Sequence, residues 1–177
     1  MSRAFVKESD MPDEPIFAPP ALLPPGTKNY ITPAGAKTLR AQLDHLLDEV
    51  RPPLAAPGQD TEIKIELQRL DHRIRALEQS LRTAEVVPPP PEGDDSIRFG
   101  ATVTVKEAKS GRSTYRIVGV DEIDLDRSWI SWLSPLARAL LTAKKGDRVQ
   151  FHSPAGMREL QVLDVRYEGG TSAVSQK

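Results

Sequence analysis

Ile63, Leu67, Leu70, Ile74, Leu77, Leu81 and Ala84 stand four, three, four, three, four and three residues apart. That alternation places one narrow apolar seam along a helix. A helix with a single stripe must lay it against another element, and a second stripe lies just upstream. Ala36, Leu39, Leu43, Leu46 and Val50 are spaced three, four, three and four apart. A short connection carrying Pro57 and Gly58 separates the two, so together they predict an antiparallel two-helix coiled coil. Thr32 and Pro33 mark the start of the first arm, because threonine caps free amides and proline suits the first helical position. Asp60 or Thr61 can serve the second arm in the same way.

Prolines set the expected arm lengths. A proline inside a helix costs about 3 kcal/mol and pushes the preceding residue out of the α region. Pro52, Pro53 and Pro57 therefore predict that the first arm ends near Val50 or Arg51. Residues 52–58 should then run back as an irregular strap over Ile65, which lies off the seam. The second arm is expected from Asp60 to Val86, roughly 40 Å at the helical rise.

Beyond the hairpin the periodicity changes. Alternating apolar and polar residues over 101–105, 114–120, 128–133, 147–152 and 158–167 predict five short strands. Ser134 followed by Pro135 predicts one short helix. The fold class is α+β: a helical hairpin, then an antiparallel sheet with one short helix. Four consecutive prolines in VVPPPPEGDDS (86–96) predict an extended spacer. The chain divides into a disordered leader over 1–29 with six prolines, a hairpin over 30–86, a linker over 87–96, a domain over 97–168 and a disordered tail over 169–177.

Several classes of function are disfavoured. Without cysteine there are no disulfides or thiolate metal sites. No apolar run approaches the roughly 20 residues needed to cross a bilayer, and the N-terminus lacks a signal-peptide pattern, so a cytoplasmic protein without membrane association is expected. Residues 97–168 hold twelve Lys or Arg against nine Asp or Glu, too few for the dense patch of autonomous DNA binding. His72 has no second histidine at ligand spacing, so no metal site is expected; phosphate-binding loops and dinucleotide fingerprints are missing as well. Trp129 and Trp132 are three apart and face opposite sides of a strand, one toward the core and one available to a partner.

The stretches TYRIVGVDEI (114–123), ISWLSPLARALL (130–141), KGDRVQFHSPAGMRELQVLDVRYE (145–168) and QRLDHRIRALEQSL (68–81) resemble the Gre family of bacterial transcript-cleavage factors, its GreB branch in particular. The resemblance spans 31–167. It implies a C-terminal domain resembling FK506-binding proteins, without isomerase activity, that docks beside the secondary channel of RNA polymerase while the hairpin enters. The docking surface it implies comprises Asp121, Glu122, Asp124, Asp126, Trp132, Ser134, Pro135, Leu136 and Arg138. On the outward face of the second arm, Arg69, His72, Arg75 and Arg82 would meet the 3′ end of the transcript.

At the hairpin end the family carries an Asp and, three positions on, a Glu that help hold a second magnesium in the polymerase active centre. Here Asp60 matches, the acid is displaced to Glu62, and Ile63 stands where Glu is expected. Residues two apart on a helix point about 200° away from each other, so Asp60 and Glu62 could converge only if Asp60 lies in the loop. Each arm is also about seven residues shorter than the family pattern, one heptad, which shortens the rod by roughly 10 Å. The resemblance thus implies a monomeric factor, not itself an enzyme and without a cofactor of its own, that modulates elongation or pausing with transcript cleavage weakened or absent. Two alternatives stay open: an active GreB-type cleavage factor, and a channel blocker of the anti-Gre or nucleoside-diphosphate-kinase-regulator type.

Overall fold

The computed structural model describes residues 23–91, 93–107, 111–153 and 156–168. Most of the leader and the tail from 169 onward lie outside these residues. The first described element is a turn in which the Thr27 amide donates to the Pro24 carbonyl at 3.0 Å. It leads into strand β1 (Asn29–Ile31). The leader therefore stops short of residue 29, since Asn29 is buried and paired.

Helix α1 (Pro33–His45) begins where the Thr32 hydroxyl accepts from the Gly35 amide at 2.9 Å. The expected stop near Val50 does not occur. The chain passes through one π-helical stretch, Leu46–Val50, and continues as α2 (Arg51–Leu54) through both prolines. Here the Arg51 amide donates to the Leu46 carbonyl, five residues back. The wider turn relieves two local conflicts: prolines lack amide hydrogens, and their rings would strike the carbonyl four residues earlier in a regular helix. Only 55–59 remain as a connection, and no strap covers Ile65, which is 47% exposed.

The return arm, α3 (Thr61–Thr83), ends three residues before Val86. Its continuation is strand β2 (Ala84–Val86), which pairs in parallel with β1. Asn29 terminates the helix by donating from its side chain to the Ser80 carbonyl and the Thr83 hydroxyl, both at 3.2 Å. Leu43, Leu46, Leu70 and Ile74 form the hairpin core, flanked by Val50, Leu54, Leu77 and Leu81. On α3 burial peaks midway: Ile63 and Leu67 toward the tip and Leu77 and Leu81 toward the base are half-buried.

The linker is anchored at both ends. Val87 donates to the Ile31 carbonyl at 2.9 Å, and the Tyr167 hydroxyl donates to the Ser96 carbonyl at 2.6 Å. Strands β3 (Ala101–Glu107), β4 (Gly111–Val118), β5 (Trp129–Ser131), β6 (Arg148–Ser153) and β7 (Gly156–Tyr167) form one sheet in the order β5-β4-β3-β7-β6. Helix α4 (Pro135–Leu140) covers one face. Ala101, Val103 and Val105 point inward toward Ile117, Ala137, Leu140, Leu160 and Val162, as period-two alternation requires. The sheet is not wholly antiparallel, because β5 pairs in parallel with β4. The ten residues between them make a crossover instead of a tight hairpin, so the chain returns along the same edge in the same direction.

Candidate functional site

The crossover from β4 to β5 holds the four acidic residues singled out above, and the structure divides them. Val120–Glu122 forms a single 3-10 turn that brings Glu122 under Gly119. Glu122 is 8% exposed, and its carboxylate accepts from the Thr32 amide at 2.9 Å, the Gly119 amide at 3.0 Å and the Thr32 hydroxyl. It faces the base of the hairpin, so it is not part of a docking surface. Asp121 accepts from Asn29 at 3.3 Å and is half-buried. Asp124 accepts from the Arg127 amide at 3.1 Å and pairs with its guanidinium at 3.4 Å. Asp126 is exposed.

Between these acids stand two residues that sequence reasoning passed over. Leu125 is 82% exposed and Ile123 is 42% exposed. Their signal was the alternation Ile-Asp-Leu-Asp in a segment that is neither a strand nor a core helix. An apolar side chain this open on a loop is a candidate anchor for a protein partner.

The tryptophans also separate. Trp132 packs on Tyr30 with ring centroids 5.0 Å apart and joins the domain core, so it seals the hairpin base and is no exposed anchor. The cause is β1, whose Tyr30 arrives from a distant part of the chain. Trp129 is half-buried and carries the guanidiniums of Arg116 at 4.5 Å and Arg127 at 5.4 Å over its ring. Arg116 is itself held by both carboxylate oxygens of Glu168. At the other end of β5, Ser134 caps α4 by accepting from the Ala137 amide at 3.2 Å. Leu136 packs on the domain core, whereas Pro135 and Arg138 are exposed. The crossover and the α4 turn flank the same three-residue edge strand, so the residues open to a partner leave from its two ends.

At the hairpin tip, Gly58 turns the chain with φ of +84°. Asp60 follows as the N-cap of α3, its Oδ1 accepting from the Ile63 amide at 3.0 Å. Glu62 lies exposed in the first turn. Both positions suit negative charge near a helix start. Asp60, in extended backbone, stands outside the helix with its carboxylate engaged by the Ile63 amide, and Glu62 is the first acid within the helix. Among the described residues no group of three or more His, Asp or Glu is arranged to hold a metal.

Along α3, Arg69, His72, Arg75 and Arg82 are all exposed. Arg82 is engaged with Gln79, and Arg75 adds its field to Asp71. Asp71 takes the Arg51 guanidinium across the hairpin at 2.8 Å, and that hydrogen bond above all holds its carboxyl below the usual range. No helix among the described residues is long and apolar enough to cross a membrane.

A two-helix rod mounted on a curled five-stranded sheet, with an apolar and acidic crossover left open, defines a macromolecule-binding factor. Comparison with known proteins makes the class specific. Residues 91–167 match the family described as transcription elongation factor, GreA/GreB, C-terminal part. The chain is 40% identical over 155 residues to transcription elongation factor GreB of Neisseria meningitidis serogroup A, covering 80% of this chain and 95% of that protein. It is 39% identical over 160 residues to GreB of Xanthomonas axonopodis pv. citri, covering 81% and 95%. The crystal structure of GreA factor homolog 1 from Thermus thermophilus aligns at 26% identity and TM-score 0.37, covering 79% of this chain and 99% of that one. The chain belongs to the GreA/GreB family of transcription elongation factors. It acts as an elongation factor and not as an enzyme in its own right.

Proposed function

We propose that this protein binds RNA polymerase through its C-terminal domain, places the hairpin in the secondary channel, and modulates elongation or pausing with transcript-cleavage stimulation weakened or lost. The observation that carries this reading is the tip. Magnesium prefers hard oxygen ligands in a near-ideal geometry, and a second catalytic metal must be held between attacking and leaving oxygens. Asp60 is committed to capping α3, and Ile63 stands three positions on, where the family pattern carries Glu. These residues do not fit a shared magnesium site, and misplacement near 1 Å already costs catalysis heavily. The comparison with the Neisseria protein supports a shortened chain. Its 155 aligned positions exceed 80% of 177 residues, so that relative has positions with no counterpart here.

In this reading Leu125, Asp126, Pro135 and Arg138 face the polymerase, and the exposed cations of α3 lie along the path of the transcript. The factor works as a cytoplasmic monomer, and magnesium belongs to the polymerase active centre alone. The test uses backtracked elongation complexes. We expect binding to polymerase and competition with an active cleavage factor, with few 3′ fragments released beyond the spontaneous level. Abundant fragments, lost on combining Asp60→Ala with Glu62→Ala, would establish the active-factor reading instead. Failure to bind polymerase would overturn the proposal entirely.

A further inference from the structure

We propose that Glu122 is a positioning residue: a buried carboxylate that sets the direction in which the hairpin leaves the C-terminal domain. The inference goes beyond the function proposed above and does not depend on it. A carboxylate removed from water is costly unless its lone pairs are satisfied. Three donors reach Glu122, and they come from both sides of the joint. The Thr32 amide and hydroxyl belong to the hairpin, and the Gly119 amide belongs to the sheet domain. The same carboxylate stands at the positive end of the 13-residue helix α1. No basic side chain pairs with it among the described residues.

Two glycines make room for this contact. A Cβ on Gly35 would lie 2.0 Å from Glu122 Oε1, and one on Gly119 would lie 2.2 Å from the Tyr30 carbonyl and 3.0 Å from Glu122 Oε2. Gly119 alone would suffice if Glu122 only closed its own 3-10 turn. Gly35, inside a helix where alanine is the better former, has no such local reason. Its lack of a side chain makes sense only for an approach from the other domain. Leverage explains why the joint is so closely built. A 23-residue helix is about 35 Å long, so a tilt of about 10° at its base moves the tip by about 6 Å. Asn29 and the Tyr30–Trp132 contact also span the joint, so loss of Glu122 should loosen the hairpin and not release it.

The absence of cysteine permits spin labels at Lys64→Cys near the tip and Gln150→Cys on the sheet, with pulsed electron resonance reading the distance between them. The otherwise unchanged protein should give one narrow distribution. Glu122→Ala should at least double its width, with amide exchange in β3 unchanged. Glu122→Gln should restore it, because its carbonyl can accept from both amides while its NH2 meets the Thr32 hydroxyl. Gly35→Ala should broaden the distribution although the helical content of the hairpin holds or rises. A narrow distribution at the parent distance in either Glu122→Ala or Gly35→Ala would overturn the proposal. So would a glutamine variant as broad as the alanine one.

Discussion

The two ends of the hairpin are built on different terms. At its base, Glu122, Thr32, Asn29 and Ile31 are all buried, and side-chain hydrogen bonds cross between the two domains. At its tip, Asp60 and Glu62 are exposed, and the hydrogen bond that positions Asp60 is a local helix cap. Apolar burial along α3 peaks midway instead, with Ile74 at 5% exposure and both Leu67, nearer the tip, and Leu81, nearer the base, half-buried. In a protein whose relatives are elongation factors, this contrast locates geometric precision where the rod is mounted and not where it ends. Such a rod can be aimed and can fill space. It is poorly furnished for holding a metal.

The largest effect concerns truncation along the seam. Ile74→Ala should cost about 2–5 kcal/mol, the usual range for a buried aliphatic residue. Leu67→Ala should cost clearly less, and chemical denaturation followed by helical circular dichroism would show it. Equal losses would show that the tip end of the seam is packed as tightly as its middle. Next comes the crossover. Leu125→Ser should leave thermal stability unchanged, since the side chain is 82% exposed, yet weaken polymerase binding about tenfold if it is an anchor. Unchanged affinity would move the docking surface elsewhere.

Asp60→Ala should lower stability by about 1 kcal/mol through loss of the cap, with the residual level of transcript cleavage unaltered. A selective loss of cleavage without loss of stability would assign the tip a chemical role. The smallest effect concerns the cross-arm pair of Arg51 and Asp71. The Asp71 carboxyl is depressed by its hydrogen bond to Arg51, so its contribution is present above the ordinary value of about 3.9 and is lost as pH falls through the lower folded value. Wild type and Asp71→Asn should therefore differ slightly in melting temperature near neutrality and converge on acidification below about pH 4. A gap that persisted there would rule out ionisation as its cause.

Local signals were legible to the extent that their causes are local. The seam leucines, the Thr32, Asp60 and Ser134 caps, and the alternation of β3 all depend on neighbours within a few residues. Pro52 and Pro53 misled because their local cost is real, but the π-helical turn before them lowers it. Glu122 looked like a surface acid among acids, and Trp132 like an exposed ring. Each lost its surface when β1 and the Thr32 that follows it arrived from about ninety to a hundred residues away in sequence.

What the chain settles without reference to its own tertiary contacts is periodicity: which residues form a two-stripe rod, which form short strands, and that the acids near the turn are spaced two apart. Those follow from side-chain repeat and backbone chemistry alone. Only the tertiary structure decided that β1 lies parallel to β2, that β5 runs with β4, and that the Glu122 carboxylate looks inward between Gly35 and Gly119. The physical reason is that burial and hydrogen-bond partners are properties of a place in the fold. A carboxylate becomes a key when distant amides close around it, and no local pattern records that they will.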